Sequence, residues 1–323
     1  MDPWRSSVHV PRVSIGLPVY NGEKYLRFAI DSILGQDFTD FELILSDNAS
    51  TDGTGRICSE YASNDTRIRY FKNERNLGAA PNHIRVFELA RAPLFKWASY
   101  DDIHLPSFLR KCVETMDGAP PSVVLVAPRA ELIDENGEKS PTGWLPERLE
   151  TKRPEPHERL GDVLRNVAWA TAQYGIYRAD KLRKTRLVGA FPCSDYVLLA
   201  EIALLGEIRE VPEVLFQRRY HPSVSHMANT TQAQFMEWFD TSKARKGRRS
   251  ILPVPLVPRW RVLFELQRSA LRAPMKATEK LRCCVTALRI WSWRERVRLE
   301  KEWRSHLRLK QRIRRLLQAL RVS

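Results

Sequence analysis

The chain of 323 residues is poor in cysteine, and none of its cysteines sits in a pairing pattern. Cys58, Cys112, Cys193, Cys283 and Cys284 are odd in number and lack CxxC spacing, which argues against a disulfide framework and a structural zinc site. A reducing, cytoplasmic setting is expected. No stretch reaches the roughly 18–20 uncharged apolar residues of a membrane span. The opening residues, Met1-Asp-Pro-Trp-Arg5, lack the apolar run of a secretory signal. Also missing are a GxGxxG after the first predicted strand and a GxxxxGK(S/T) anywhere. Neither a dinucleotide fingerprint nor a P-loop is therefore indicated.

Negative charge is scarce in one region only. Residues 241–323 carry 24 Lys and Arg against 5 Asp and Glu, which leaves 29 basic against 33 acidic residues in 1–240. The overall net charge of +15 thus belongs to the tail. The front of the chain does not have the charge of a nucleic-acid-binding protein.

What the sequence does have is organised around Trp97-Ala-Ser-Tyr-Asp-Asp-Ile-His-Leu-Pro106. An apolar run leads into Asp101 and Asp102, and Pro106 opens a predicted helix. Paired carboxylates at the carboxyl end of a strand lie where open α/β sheets bind ligands. They repel each other unless a cation sits nearby, and a hard divalent cation carrying phosphate oxygens is the usual partner. His104 is predicted at the surface.

The preceding chain alternates strand and helix. Strands are predicted at 13–19, 41–45, 68–71, 94–98 and 123–126, with helices over 23–34, 52–61 and 79–90. The β-α-β-α order predicts a mostly parallel sheet with right-handed crossovers. The loops after the first, second and fourth strands then converge as a polar, acid-lined rim. A metal, rather than a Gly-rich cradle, is expected to handle phosphate there. Further along, Asn136-Gly137 predicts a hairpin turn. Residues 141–157 read as a proline-rich loop, 160–168 as a helix and 175–177 as a strand. Ser194 is predicted to cap a helix whose first turn holds Asp195.

Val13-Ser-Ile-Gly-Leu-Pro-Val-Tyr-Asn-Gly-Glu-Lys-Tyr-Leu26, Ser32-Ile-Leu-Gly-Gln36, Asp47-Asn-Ala-Ser-Thr-Asp-Gly-Thr54, Asn76-Leu-Gly78 and Asp101-Asp-Ile-His-Leu-Pro106 together resemble the family 2 glycosyltransferases of the GT-A fold. The resemblance covers roughly residues 12–225 and implies a nucleotide-sugar-binding α/β domain. It implies that Pro18, Tyr20 and Glu23 shape the nucleotide loop, with Asn76 alongside. Asp47 would bond the base, Asp101 the ribose or sugar, and Asp102 a Mg²⁺ or Mn²⁺ ion on the diphosphate. Many relatives carry Asp-x-Asp-Asp where this chain has Ser99-Tyr-Asp-Asp, so fewer carboxylates are left for the metal. Asp195 resembles the family's general base on the acceptor side. Arg219-Tyr-His221 resembles a closing segment in shifted order, with Arg218, Arg219 and His221 near the diphosphate.

The activity so implied is inverting transfer of a sugar from a UDP-, GDP- or dTDP-linked donor to a saccharide or lipid-linked acceptor. Cell-surface polysaccharide or glycolipid synthesis is implied by the same resemblance. A nucleotidyltransferase with a similar sheet is the alternative enzyme, but Pro18-Val-Tyr-Asn-Gly22 is not the Gly-rich basic loop it needs. A basic nucleic-acid-binding protein is the non-enzymatic alternative.

The organisation expected is a leader over 1–11, a catalytic domain over 12–228, a linker with prolines over 229–275 and a basic helical tail over 276–323. Pro253, Pro255 and Pro258 are expected to block regular structure. The tail spaces Leu281, Val285, Leu288 and Trp291 as on a helix, and continues through Leu307, Ile313, Leu317 and Leu320. It is suited to an anionic membrane surface, with packing on the domain, a protein partner or nucleic acid as competing uses.

Overall fold

A computed structural model describes residues 9–140, 147–222, 238, 239, 241 and 258–304. All seven residues of β1 (Val13–Val19) and all seven of β2 (Phe41–Asp47) are buried. Runs apolar on both faces form the centre of a sheet covered on both sides. β3 (Ile68–Lys72) and β4 (Leu94–Trp97) complete a parallel unit in the order β3-β2-β1-β4. The crossovers are α1 (Glu23–Leu34), α2 (Thr54–Asn64) and α3 (Ala79–Glu88). Gly16 lets α3 approach β1 closely, since a Cβ there would lie 2.7 Å from Val86 Cβ.

The second half of the sheet is mixed. β5 (Ile103–His104), α4 (Phe108–Asp117), β6 (Val123–Ile133) and α5 (Pro156–Asn166) come next in the chain. A 3₁₀ turn (Thr171–Tyr174), β7 (Ile176–Arg178), α6 (Ala179–Leu182), α7 (Ser194–Leu205) and β8 (Glu207–Arg219) follow. The sheet continues β4-β7-β6-β8-β5, parallel only between β6 and β8.

Some local expectations need correction. The two residues of β5 stand between Asp102 and the next helix, so the carboxylate pair ends in a strand and not at a helix N-terminus. β6 runs on to Ile133, and Gly137, at φ +91°, turns the chain back to an Ile133–Lys139 bridge. Ser194 does not cap α7. The cap position is Cys193, in the left-handed region, with no side-chain hydrogen bond. Arg218 and Arg219 are the last two residues of β8.

The tail changes most. Pro258 does not block structure; it begins helix α8 (Pro258–Arg272), inside the expected linker. The first helical position tolerates proline because its missing N–H has no helical partner to lose. α9 (Ala277–Arg294) follows. Both pack on the domain: Val262, Leu266 and Ala270 of α8 and Cys283, Ala287 and Trp291 of α9 share a core with Leu160 and Leu164 of α5 and Val197 and Leu204 of α7. Glu201, the charged position on the apolar helix α7, is explained by this packing. It accepts Arg186 Nε at 2.5 Å and Ser269 Oγ at 2.9 Å, and Arg186 also pairs with Glu265. Residues 223–237 and 242–257, the start of the leader, residues 141–146 of the proline-rich loop and the apolar positions from Leu307 onward lie outside the described residues.

Candidate active site

The parallel unit brings the loops after β2, β1 and β4 side by side at one sheet edge. The first two loops are laced together. Asn21 N–H donates to Ser50 Oγ at 2.9 Å, and Asn21 Oδ1 accepts Thr51 N–H at 2.9 Å. Gly22 N–H donates to Thr54 Oγ1, Glu23 N–H to Asp52, and Gly53 N–H to Glu23 Oε2. Glu23 and Asp52 are therefore spent on fixing the loops. Pro18 pairs with Ser46 inside the sheet, and Tyr20 stands at the rim, 41% exposed.

Asp47 is fully buried. Its Oδ1 accepts Ser50 N–H at 2.8 Å and its Oδ2 accepts Tyr70 O–H at 3.1 Å. Beside it lies an amide network that the sequence reading missed. Asn48 Nδ2 donates to Asn76 Oδ1 at 2.9 Å, and Asn48 Oδ1 accepts Leu77 N–H and Asn73 Nδ2. Asn76 thus orders the loop before α3. The adjacency of Asn48 to Asp47 was the available signal.

The carboxylate pair is built from both directions. Asp101 Oδ1 takes a short hydrogen bond from Ser99 Oγ, and Asp101 Oδ2 meets His221 Nε2 at 3.0 Å. Ser99, at the position of the missing acid, holds Asp101 in place. Asp102 Oδ1 accepts Arg219 N–H at 2.9 Å. No hydrogen bond from the described residues reaches Asp102 Oδ2. Burial and the neighbouring Asp101 push the Asp102 carboxyl well up. A buried carboxylate beside another, with one oxygen uncommitted, fits a divalent cation, which would reverse that shift.

The three basic residues separate. The Arg219 side chain donates to the carbonyls of Asp101 (3.0 Å), Asp134 (3.0 Å) and Glu135 (3.1 Å), and lies over the Tyr25 ring. His221 stacks on Tyr25 at 4.7 Å and is tied to Asp101. Both brace the carboxylate pair in this arrangement. Arg218 is different. It donates to Trp169 O at 2.7 Å, and its charge is felt by Asp102 and Asp195. Tyr174, with its ring against Phe216, shares the same charged surroundings. Trp169 and Tyr174 gave no sequence signal of a role.

Asp195 stands in the first turn of α7, and its Oδ1 accepts the Tyr196 N–H. Burial pushes its carboxyl up to about 6, against the opposing pull of that N–H and of Arg218. A carboxylate held near 6 ionises at neutral pH and stays basic enough to take a proton.

Beneath the pair, Lys96 of β4 is fully buried. Its Nζ donates to Trp97 O at 3.0 Å, sits 2.8 Å from His104 Nε2, and lies over the Phe108 ring. Burial lowers the Lys96 pKa to about 7. His104 is therefore interior and not at the surface, which reverses the earlier expectation.

Known proteins resemble this chain in sequence and in fold. The family model described as glycosyl transferase family 2 matches residues 14–184. An uncharacterized glycosyltransferase of Methanocaldococcus jannaschii, MJ1057, is 36% identical over 129 residues, covering 39% of this chain and 44% of that one. The matched stretches span less than half the length of curated relatives that the chain matches. Among solved structures, Staphylococcus aureus TarS residues 1–349 with UDP superposes with a TM-score of 0.55 at 14% identity, covering 88% of this chain and 91% of that one. The same segment with UDP-GlcNAc gives 0.53 at 15% identity, covering 88% and 92%. At that identity the likeness is one of fold.

Proposed function

Because the chain belongs to glycosyl transferase family 2 and carries a GT-A type fold, we propose that its site is an inverting, metal-dependent sugar transferase that uses a nucleoside-diphosphate sugar. One observation carries this reading. Asp102, whose Oδ2 takes no hydrogen bond from the described residues, and Asp195, with its carboxyl near 6, both feel the charge of Arg218. The solved TarS complexes with UDP and UDP-GlcNAc support a uridine donor first, with GDP- and dTDP-linked sugars as alternatives.

Asp47 and the Asn48–Asn76 network are assigned to the base side of the donor, and Asp101 to the ribose or sugar. Pro18, Tyr20 and Glu23 shape the loop that receives it. Asp102 would hold Mg²⁺ or Mn²⁺, which when bound neutralises charge developing on the diphosphate. Asp195 takes the proton of the acceptor hydroxyl as its oxygen attacks the anomeric carbon. The carbon–oxygen bond to the diphosphate breaks, and the nucleoside diphosphate leaves from the opposite face. Arg218 favours the ionised form of both working carboxylates. We assign the acceptor to saccharides or lipid-linked saccharides, and the role to cell-surface polysaccharide or glycolipid synthesis at the cytoplasmic face.

Product identity tests the reading. Incubation with UDP-GlcNAc and other nucleotide sugars, an acceptor mixture and Mn²⁺ should release nucleoside diphosphate and transfer the sugar with inverted anomeric configuration. Release of sugar 1-phosphate, with the nucleoside monophosphate passed to the acceptor, would instead indicate nucleotidyl transfer and overturn it.

A further inference from the structure

The outer surface of the tail is not used by the site. α9 turns Cys283, Ala287 and Trp291 inward, and presents Leu281 (66% exposed), Val285 (55%) and Leu288 (54%) outward at the i, i+4, i+7 spacing of one helix face. Solvent-facing rows of this kind mark interaction sites. Beside the row, α9 and α5 enclose an open groove of about 1000 Å³, whose lining includes Arg165, Arg289, Arg294, Arg296, Ile290 and Trp293. Arg294 braces its wall by donating to Leu164 O and Val167 O. Arg296 lies over the Trp293 ring at 4.5 Å. Among the described residues Arg289 forms no ion pair and no acidic residue lines the groove, while Arg165 and Arg294 pair with Asp162 and Glu295 at its edge.

We propose that this face of α9 docks on an anionic lipid bilayer, with the arginine groove seating phosphate headgroups and Leu281, Val285, Leu288 and Trp293 entering the interface. The chemistry is complementary on two counts. Arginine pairs with phosphate oxygens in a fork. Apolar side chains beside tryptophan gain from the headgroup–acyl boundary. A nucleic acid would satisfy the arginines but offers nothing to bury the apolar row. No described helix is long and apolar enough to cross a membrane, so the contact is interfacial.

The docking face is coupled to the acceptor side of the site. Trp291 meets the Tyr196 ring edge-on at 6.3 Å, Arg294 lies over the same ring, and Tyr196 follows Asp195. The surface proposal stands whether or not the site transfers sugars.

Co-sedimentation of the full chain with vesicles tests it. The protein should pellet with phosphatidylcholine vesicles containing phosphatidylglycerol, and stay in solution with phosphatidylcholine alone. The double substitution Arg289→Glu, Arg296→Glu should weaken binding at least about tenfold, since each interfacial arginine contributes on the order of 1 kcal/mol. The triple substitution Leu281→Ser, Val285→Ser, Leu288→Ser should also weaken it, with circular dichroism melts unchanged. No binding at low salt, undiminished binding by both variants, or binding to a DNA duplex but not to vesicles would overturn the proposal.

Discussion

The two sides of the site are held by different means. Around the donor, the loops after β1 and β2 fix each other through main-chain and side-chain hydrogen bonds about thirty positions apart, as between Asn21 and Thr51. Around Asp195, the supports come from the far end of the chain. Arg294 reaches Leu164 across 130 positions, and Trp291 donates its indole N–H to Arg259 O behind α7. The donor side is a local device that one β-α-β unit completes. Next to Asp195, Cys193 and Tyr196 pack against the core that the tail helices share with α5 and α7. A local device keeps its geometry when distant parts change; a distributed one does not.

Removing the base should break this comparison most sharply. Asp195→Asn should lower turnover by roughly 10²–10⁴, the range for one general base, while calorimetry shows unchanged nucleotide affinity. Affinity lost in parallel would mean that the two sides are not separable. Trp291→Ala comes next. Trp291 is fully buried, and its truncation should cost about 3–5 kcal/mol, read as a lower thermal midpoint. Turnover should fall before nucleotide binding does, because the defect lies behind Asp195.

The pH profile gives a smaller, signed effect. Asp195 works when ionised, so turnover should be lost as pH falls through about 6. In Arg218→Gln that limb should move to higher pH, because the cation that favours ionisation is gone; an unmoved limb would detach Arg218 from the base. Ser99→Ala should do least. It removes one hydrogen bond to Asp101, worth on the order of 1 kcal/mol, so a fall of several-fold in turnover is expected. A large loss would give Ser99 a direct role.

How much was legible in the sequence follows the same division. β1 through β4, their helices and the gathering of Asp47, Asp101 and Asp102 could be read because periodicity and strand-end motifs are local. In the mixed half, strands at 123–126 and 175–177 could be read, but their pairing could not. β5 is two residues long and exists only because β8 pairs with it. His104 looked like a surface residue because its contact with Lys96 depends on that pairing. The contacts of Arg219 with the carbonyls of Asp134 and Glu135, and of His221 with the Asp101 carboxylate, also depend on residues distant in the chain and could not be read. Basic composition of the tail suggested a surface binder. It hid the inward row of Cys283, Ala287 and Trp291, whose partners lie in α5 and α7.

The central claim is that Asp102 holds a divalent cation carrying the diphosphate of a nucleotide sugar. Titration calorimetry with UDP and GDP, with and without Mn²⁺, on the unaltered protein and on Asp102→Asn tests it most directly. The account predicts nucleotide binding that strengthens with Mn²⁺ in the unaltered protein, and a variant with the same fold in which Mn²⁺ has no effect. Nucleotide binding equally strengthened by Mn²⁺ in both proteins, or indifferent to it in both, would contradict the account.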